Sequence, residues 1–173
     1  ELYGHWWFEG PKFLNFLIRH VAKQDVYKLI TPSEYLYTNP VNQLSQPSAS
    51  SWGANGYNTF WLNPNNDYVY RHLNEMAEKM VKFAYLYQMP YPLQKRALNQ
   101  MARELLLAQS SDWAFILQTG TMPEYAAKRT KTHVHRFNKL FDMIVNDTIS
   151  DNWLAKIEYI DNIFPEIDYT VYR

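Results

Sequence analysis

The 173-residue sequence contains no cysteine, which excludes a disulfide framework, a thiolate metal site and a cysteine nucleophile. That absence fits a reducing compartment, and the expectation is a cytoplasmic protein. Net charge is also missing: 17 Lys and Arg balance 17 Asp and Glu. With no basic excess to neutralise a phosphate backbone, nucleic acid is not an expected partner. No apolar run approaches the roughly 18 residues of a membrane-spanning helix, and mean hydropathy is -0.46, so no membrane partner is expected. There is no Gly-rich phosphate loop, no Gly-x-Ser-x-Gly elbow, no metalloprotease helix motif and no internal repeat. Chemistry is left to carboxylates, histidines, hydroxyls and aromatic rings.

Aromatic rings are what the sequence has in excess: 14 Tyr, 9 Phe and 6 Trp make up 17% of the chain. A core of Leu, Ile and Val does not need so many, so a good share should lie at surfaces or grooves. The start, Glu1-Leu2-Tyr3-Gly4, has no initiator Met and no cleavable signal pattern. It reads as the end of a buried strand entering a functional loop, and the expectation is a piece of a longer protein.

Pro11 suits a first helical position, and Phe13, Phe16, Leu17 and Val21 recur at helical spacing, which predicts a helix over about 11–23. Val26 to Ile30 is β-branched at both ends and predicts a short strand. Thr31-Pro32-Ser33-Glu34 has the pattern of a capping box, opening a short helix that Asn39-Pro40 stops. Residues 39–66, rich in Asn, Ser, Gly and Pro, predict a long loop, and Trp52, Tyr57, Phe60 and Trp61 within it argue against simple disorder. Beyond the loop, apolar spacing predicts helices over about 66–88 and 92–109. A second capping-box pattern, Thr121-Met122-Pro123-Glu124, predicts a helix to about Val145, and Trp153, Ile157, Ile160 and Phe164 form a last stripe. The fold class is mainly α, with a bundle of antiparallel helices in the C-terminal two-thirds.

Four segments could carry chemistry. In His5-Trp6-Trp7-Phe8-Glu9-Gly10-Pro11, three consecutive rings cannot all face one core, so at least one should line a cavity. A strand end with its rings buried in a contact is the competing reading, and Glu9 reads as a charge at the helix start. Trp52 and Trp61, beside Asn, Ser and Gly, suit stacking on sugar C–H faces; they could equally pin the loop to the bundle. Asp112, in Ser110-Ser111-Asp112-Trp113, interrupts an apolar stretch and so needs a partner there, either as a helix cap or toward a polar ligand. His133 and His135, two apart on a helix, point to opposite faces among Lys128, Arg129, Lys131 and Arg136, and read as a solvated basic face rather than a metal site.

The segment Glu1 to Pro11 resembles the fourth conserved region of glycoside hydrolase family 57, in the subgroup of α-1,4-glucan branching enzymes and related amylases. Ser51-Trp52-Gly53 with Trp61, and Ser110-Ser111-Asp112-Trp113-Ala114-Phe115, resemble later segments of that subgroup in the same order. The resemblance implies residues 1–45 as the last helix and strand of an incomplete (β/α)7 barrel and residues 46–173 as the α-helical C-terminal domain. It implies a 1,4-α-glucan branching enzyme acting by retaining chain transfer, in which a carboxylate nucleophile takes the glucosyl chain and an acceptor hydroxyl releases it. Its partners would be an α-glucan and the barrel upstream in the same protein, with no cofactor and no metal.

The same resemblance places the nucleophile Glu and the acid/base Asp before Glu1, so no catalytic residue is expected in this chain, which alone should be inactive. His5 and Trp6 would sit at the pocket rim, Trp52 and Trp61 would wall the glucan groove, and Asp112 would bind glucose hydroxyls. An α-amylase or 4-α-glucanotransferase of the same family, or a non-catalytic carbohydrate-binding helical module, are the alternatives.

Overall fold

The computed structural model describes residues 3–173, so the expected strand end at Glu1-Leu2 lies outside the described residues. The chain divides into two units, Glu1–Ser48 and Ala49–Arg173.

In the first unit, Tyr3 and Trp7 form an isolated bridge, and α1 follows over Gly10–Val21. Gly10 is required where it stands, because a Cβ there would lie 2.5 Å from the Tyr3 Cα. The Trp7 ring packs toward Phe13 and Tyr3, with centroids 5.2 and 5.9 Å away. Trp6 and Phe8 point outward, 71% and 83% exposed.

The strand expected over 26–30 does not form: the segment is irregular, and no strand exists among the described residues. A strand exists only through a neighbour's hydrogen bonds. Here the Gln24 side chain takes that place, accepting from the Val26 and Tyr27 amides at 2.7 and 3.1 Å and donating to the Tyr27 carbonyl at 2.7 Å. The capping box at Thr31 does form and opens α2, Pro32–Thr38. The Thr31 amide donates to the Glu34 carboxylate and holds it below the usual carboxylate range.

The second unit is the bundle: α3 over Asp67–Leu86, α4 over Pro92–Ala108, α5 over Ser111–Thr119, α6 over Pro123–Val145 and α7 over Asp151–Ile160. Met89-Pro90 breaks α3 from α4, and Gly120, at φ 71° in the left-handed region that glycine tolerates, closes α5. The second capping-box pattern does not close. Thr121 Oγ1 lies 3.0 Å from Thr119 Oγ1, and Met122, with no capping side chain, takes the cap position of α6.

Helix α4 is the centre, packed chiefly on α6 and also on α3 and α7. Ala97, Leu98, Met101, Ala102 and Leu105 are buried on one side of it, and Gln100, Arg103 and Glu104 on the other. A helix buried all round belongs to a core. Phe83 of α3 and Phe141 of α6 stack at 4.6 Å to close the core laterally.

The segment after α7 is stitched down. Arg103 Nε donates to the Ile163 carbonyl at 2.9 Å and its Nη2 to the Pro165 carbonyl at 3.1 Å. Asn99 accepts from the Tyr169 amide at 3.0 Å, Tyr169 donates its hydroxyl to the Tyr87 carbonyl, and Arg173 donates to the Ala84 carbonyl at 2.8 Å. Phe164, expected on the last apolar stripe, falls outside α7 at φ 46° and is 63% exposed.

Candidate functional site

The loop of residues 51–66 is ordered by its own polar side chains. Ser51 Oγ accepts from the Gly53 amide at 3.0 Å and donates to the Tyr57 carbonyl at 2.5 Å. Two single 3-10 turns, Ala54–Gly56 and Asn58–Phe60, carry the chain round, with Asn55 at φ 56°. Gly53 sits where a Cβ would meet the Tyr57 carbonyl at 2.8 Å and the Trp61 indole nitrogen at 3.3 Å.

The buried Asn66 then anchors the loop: its amide donates to the Phe60 and Ala114 carbonyls at 2.9 and 3.1 Å, and its oxygen accepts from the Asn63 amide at 2.9 Å. Tyr70 donates its hydroxyl to the Trp61 carbonyl, and burial pushes that phenol's pKa up.

These anchors set the loop's rings against α5. The Phe115 ring has Phe60 at 5.5 Å, Trp61 at 5.8 Å and Trp52 at 6.1 Å. Trp61 is half-buried, whereas Trp52 is 80% exposed, an apolar face turned to solvent over a packed aromatic floor. Trp61 also lines a cleft of about 190 Å³ with Tyr70, Gln109, Ser110, Ser111 and Trp113.

Asp112 lies in the first turn of α5, three residues before Phe115 and therefore on the same side of the helix. It is exposed rather than enclosed by apolar neighbours, which corrects the expectation drawn from the flanking Leu and Ala residues. Its carboxylate accepts from Ser110 Oγ at 2.7 Å, and the start of α5 has no side-chain cap bond, so Asp112 is not occupied as a cap. His5 and Trp6 belong to the first unit, where both are exposed and their rings meet edge-on at 4.6 Å.

His133 is not on a solvated basic face, as the sequence suggested: it is fully buried, while His135 is exposed. The Glu104, His133 and Asp161 ligand atoms lie within 4.8 Å of one another, a spacing that could gather a metal ion. The hydrogen-bond donors around them describe a closed network instead. Arg129 can only donate, so His133 Nε2, 3.0 Å from its Nη2, accepts. The proton is thereby placed on Nδ1, which donates to Glu104 Oε2 at 2.7 Å. Gln100 donates to the other Glu104 oxygen at 2.9 Å, and Arg136 pairs with Asp161. Burial pushes the Glu104 carboxyl up, partly offset by the His133 and Gln100 donors.

Sequence reasoning gave Phe115 and Asn66 no role of their own and read Arg129 only as part of a solvated basic face. Phe115 had a signal, since it stands one helical turn beyond Asp112; Asn66 and Arg129 show their roles only through partners distant in sequence.

Three solved structures share this arrangement of helices. The alpha-amylase AmyC from Thermotoga maritima is 46% identical, with a TM-score of 0.72 over 99% of this chain and 32% of that one. The GH57-type branching enzyme from Pyrococcus horikoshii is 32% identical, with a TM-score of 0.76 over 99% of this chain and 33% of that one. TK1436 of Thermococcus kodakarensis, a GH57 branching enzyme solved in complex with glucose and additives, has a TM-score of 0.79 and 30% identity over 99% of this chain and 32% of that one. The class that fold and site define is therefore the helical domain of GH57 enzymes.

Within that class, the chain belongs to the family of 1,4-alpha-glucan branching enzyme C-terminal domains, whose profile matches residues 72–172. Among curated proteins, the 1,4-alpha-glucan branching enzyme TK1436 is 33% identical over 147 residues, covering 84% of this chain and 22% of that protein. The chain thus spans about a fifth of the length of that relative. No helix of the described residues is long and apolar enough to cross a membrane.

Proposed function

We propose that this chain is the C-terminal portion of a 1,4-α-glucan branching enzyme and supplies one wall of its glucan groove. The observation that carries the reading is the exposed Trp52 ring on the Phe115 floor, on the side of α5 that also presents the Asp112 carboxylate. A glucosyl unit needs a flat apolar face for its C–H surface and an acceptor for its hydroxyls, and this surface offers both. Trp61 holds the wall in place; on the first unit, the exposed His5 and Trp6 offer glucan contacts of their own.

Residues 1–45 belong to the catalytic barrel in this reading. Support comes from the first unit's own surface, where Phe16, Val26, Tyr37 and Leu44 are 70%, 90%, 89% and 96% exposed. Apolar area on that scale suits packing against more protein. The nucleophile and the acid/base belong to parts of the protein outside this chain, which alone neither branches nor hydrolyses amylose. The reaction moves an α-1,4 chain to the 6-hydroxyl of an acceptor, in the cytoplasm, with no cofactor.

A second reading, hydrolysis, is favoured by the 46% identity to the alpha-amylase AmyC. Incubating amylose with the full-length protein separates the two. Loss of iodine staining with new α-1,6 anomeric proton signals and few new reducing ends supports branching. Reducing ends rising in step with the loss of staining support hydrolysis, and no change in either sinks both.

A further inference from the structure

We propose that Arg129 is the positioning residue of the Ser110–Trp113 turn, holding the Asp112 side of the glucan wall from behind. The ligand in this inference rests on the glucan reading above; the geometry does not. Trp113 follows Asp112 directly and is held at three points. Its indole N–H donates to the Leu107 carbonyl at 2.8 Å, its ring meets Tyr125 edge-on at 6.0 Å, and the Arg129 guanidinium lies 5.6 Å from the ring centroid. Two of those three points, Tyr125 and Arg129, are on α6, so the start of α5 takes its orientation from α6.

Arg129 is not there for an ion pair. Among the described residues it forms no salt bridge, and its Nε is buried with no partner. What orients the guanidinium is the Trp113 ring on one side and the acceptor Nε2 of His133 on the other, 3.0 Å away. His133 cannot turn, because its Nδ1–H is committed to Glu104 at 2.7 Å, and Glu104 is held in turn by Gln100 at 2.9 Å. A line of contacts therefore runs from Gln100 and Glu104 in α4, through His133 and Arg129 in α6, to Trp113 in α5. Glu104 and His133 are wholly buried, so the line is anchored in the least deformable part of the bundle. The planar guanidinium can lie over a ring while donating sideways, which a lysine ammonium cannot do in the same way.

The test uses the ¹⁵N-labelled chain. Arg129→Gln should move the Trp113 indole resonance and the Ser110 and Asp112 amides while leaving those of α3 and α7 in place. It should also weaken maltoheptaose binding about fivefold, the scale of a lost cation–ring contact. Arg129→Lys, which keeps the charge near the ring, should fall between wild type and Gln in both readouts, and it serves if the Gln variant does not fold. Unmoved Trp113, Ser110 and Asp112 resonances would overturn the proposal, as would a shift spread evenly over α3 and α7, which marks a general scaffold role. Shifted resonances with unchanged affinity would remove the link to binding. Failure of the wild-type chain to bind maltoheptaose would sink the glucan reading, and the resonances alone would then decide the positioning role.

Discussion

Asn66 joins Ala114 across 48 residues of sequence, its side-chain amide donating to that carbonyl at 3.1 Å inside a fully buried site. One side chain thus fastens the Trp-bearing loop to the middle of α5, and the same amide reaches back to Phe60. Asn66→Ala removes the bonds to the Phe60 and Ala114 carbonyls and leaves the Asn63 amide without its acceptor. Three lost bonds at about 1 kcal/mol each give an expected loss of about 3 kcal/mol. Thermal unfolding of the chain should show a midpoint lower by about 10 °C; a change under about 2 °C would mean the loop is not held here.

Trp52 and Trp61 should separate binding from stability. Trp52→Ala removes an exposed ring and should weaken maltoheptaose binding by about 1 to 3 kcal/mol, by analogy with bases stacked on aromatic side chains. Its melting midpoint should stay near wild type. Trp61→Ala, half-buried between Phe115 and the cleft, should lower both. Calorimetric titration alongside a thermal melt reads the pair; an affinity unchanged by Trp52→Ala would refute the stacking role.

Gly53→Ala tests how tightly the loop is wound. The added methyl would approach the Tyr57 carbonyl to 2.8 Å, and that backbone atom cannot swing aside as a side-chain tip could. An overpacking cost of about 1 to 3 kcal/mol is expected, with maltoheptaose affinity falling as Trp52 shifts. A melt and a titration both indistinguishable from wild type would show that the loop has slack.

The Glu104 carboxyl, raised by burial, gives a pH dependence of definite sign. A group raised in the folded state contributes stability that is complete below its unfolded value and is lost as pH rises through the folded value. Glu104's contribution should therefore decline from its ordinary value of 4.5 upward. Glu104→Gln presents an amide N–H where the protonated carboxyl presents its O–H, so the two proteins should differ little at low pH. Because the amide does not titrate, wild type should lose stability relative to the Gln variant as pH rises. Melts across that range check it; a wild type that gains on the Gln variant with rising pH would reverse the sign assigned to Glu104.

What the sequence made legible was whatever depends on near neighbours. Met76, Met80 and Ala84 announce the buried face of α3 by spacing alone, and the Thr31 box closes because its partners sit three residues apart. The same four-residue pattern at Thr121 fails, because Pro123 takes the first position of α6 and puts Met122, not Thr121, at the cap. Val26 to Ile30 has strand composition but no strand to pair with, and Gln24 takes its amides. Least legible was the polar core. His133 shares the helical spacing of Phe137, Leu140 and Ile144 and His135 does not, but the partner that lets an imidazole sit on that buried face, Glu104, is 29 residues away. The aromatic loop lay between these extremes: Trp52 and Trp61 stood out by chemistry, but the floor under them, Phe115, is supplied by another helix.

The stitching of residues 163–173 carries a consequence for how the bundle opens. Apart from one 3-10 turn at Tyr169–Tyr172, this stretch has no regular structure, and a segment of that kind ordinarily frays within the native state. Here its bonds reach across 60 residues from Arg103 to Ile163 and 89 residues from Ala84 to Arg173, and Tyr169 is as buried as the helices' own methionines. To release any one of these contacts the tail must leave α3 and α4 together, exposing the core as it goes. The Tyr169 amide, held by Asn99 of α4 at 3.0 Å, should therefore exchange with solvent at the rate set by unfolding of the whole bundle, a slow proton within an irregular stretch.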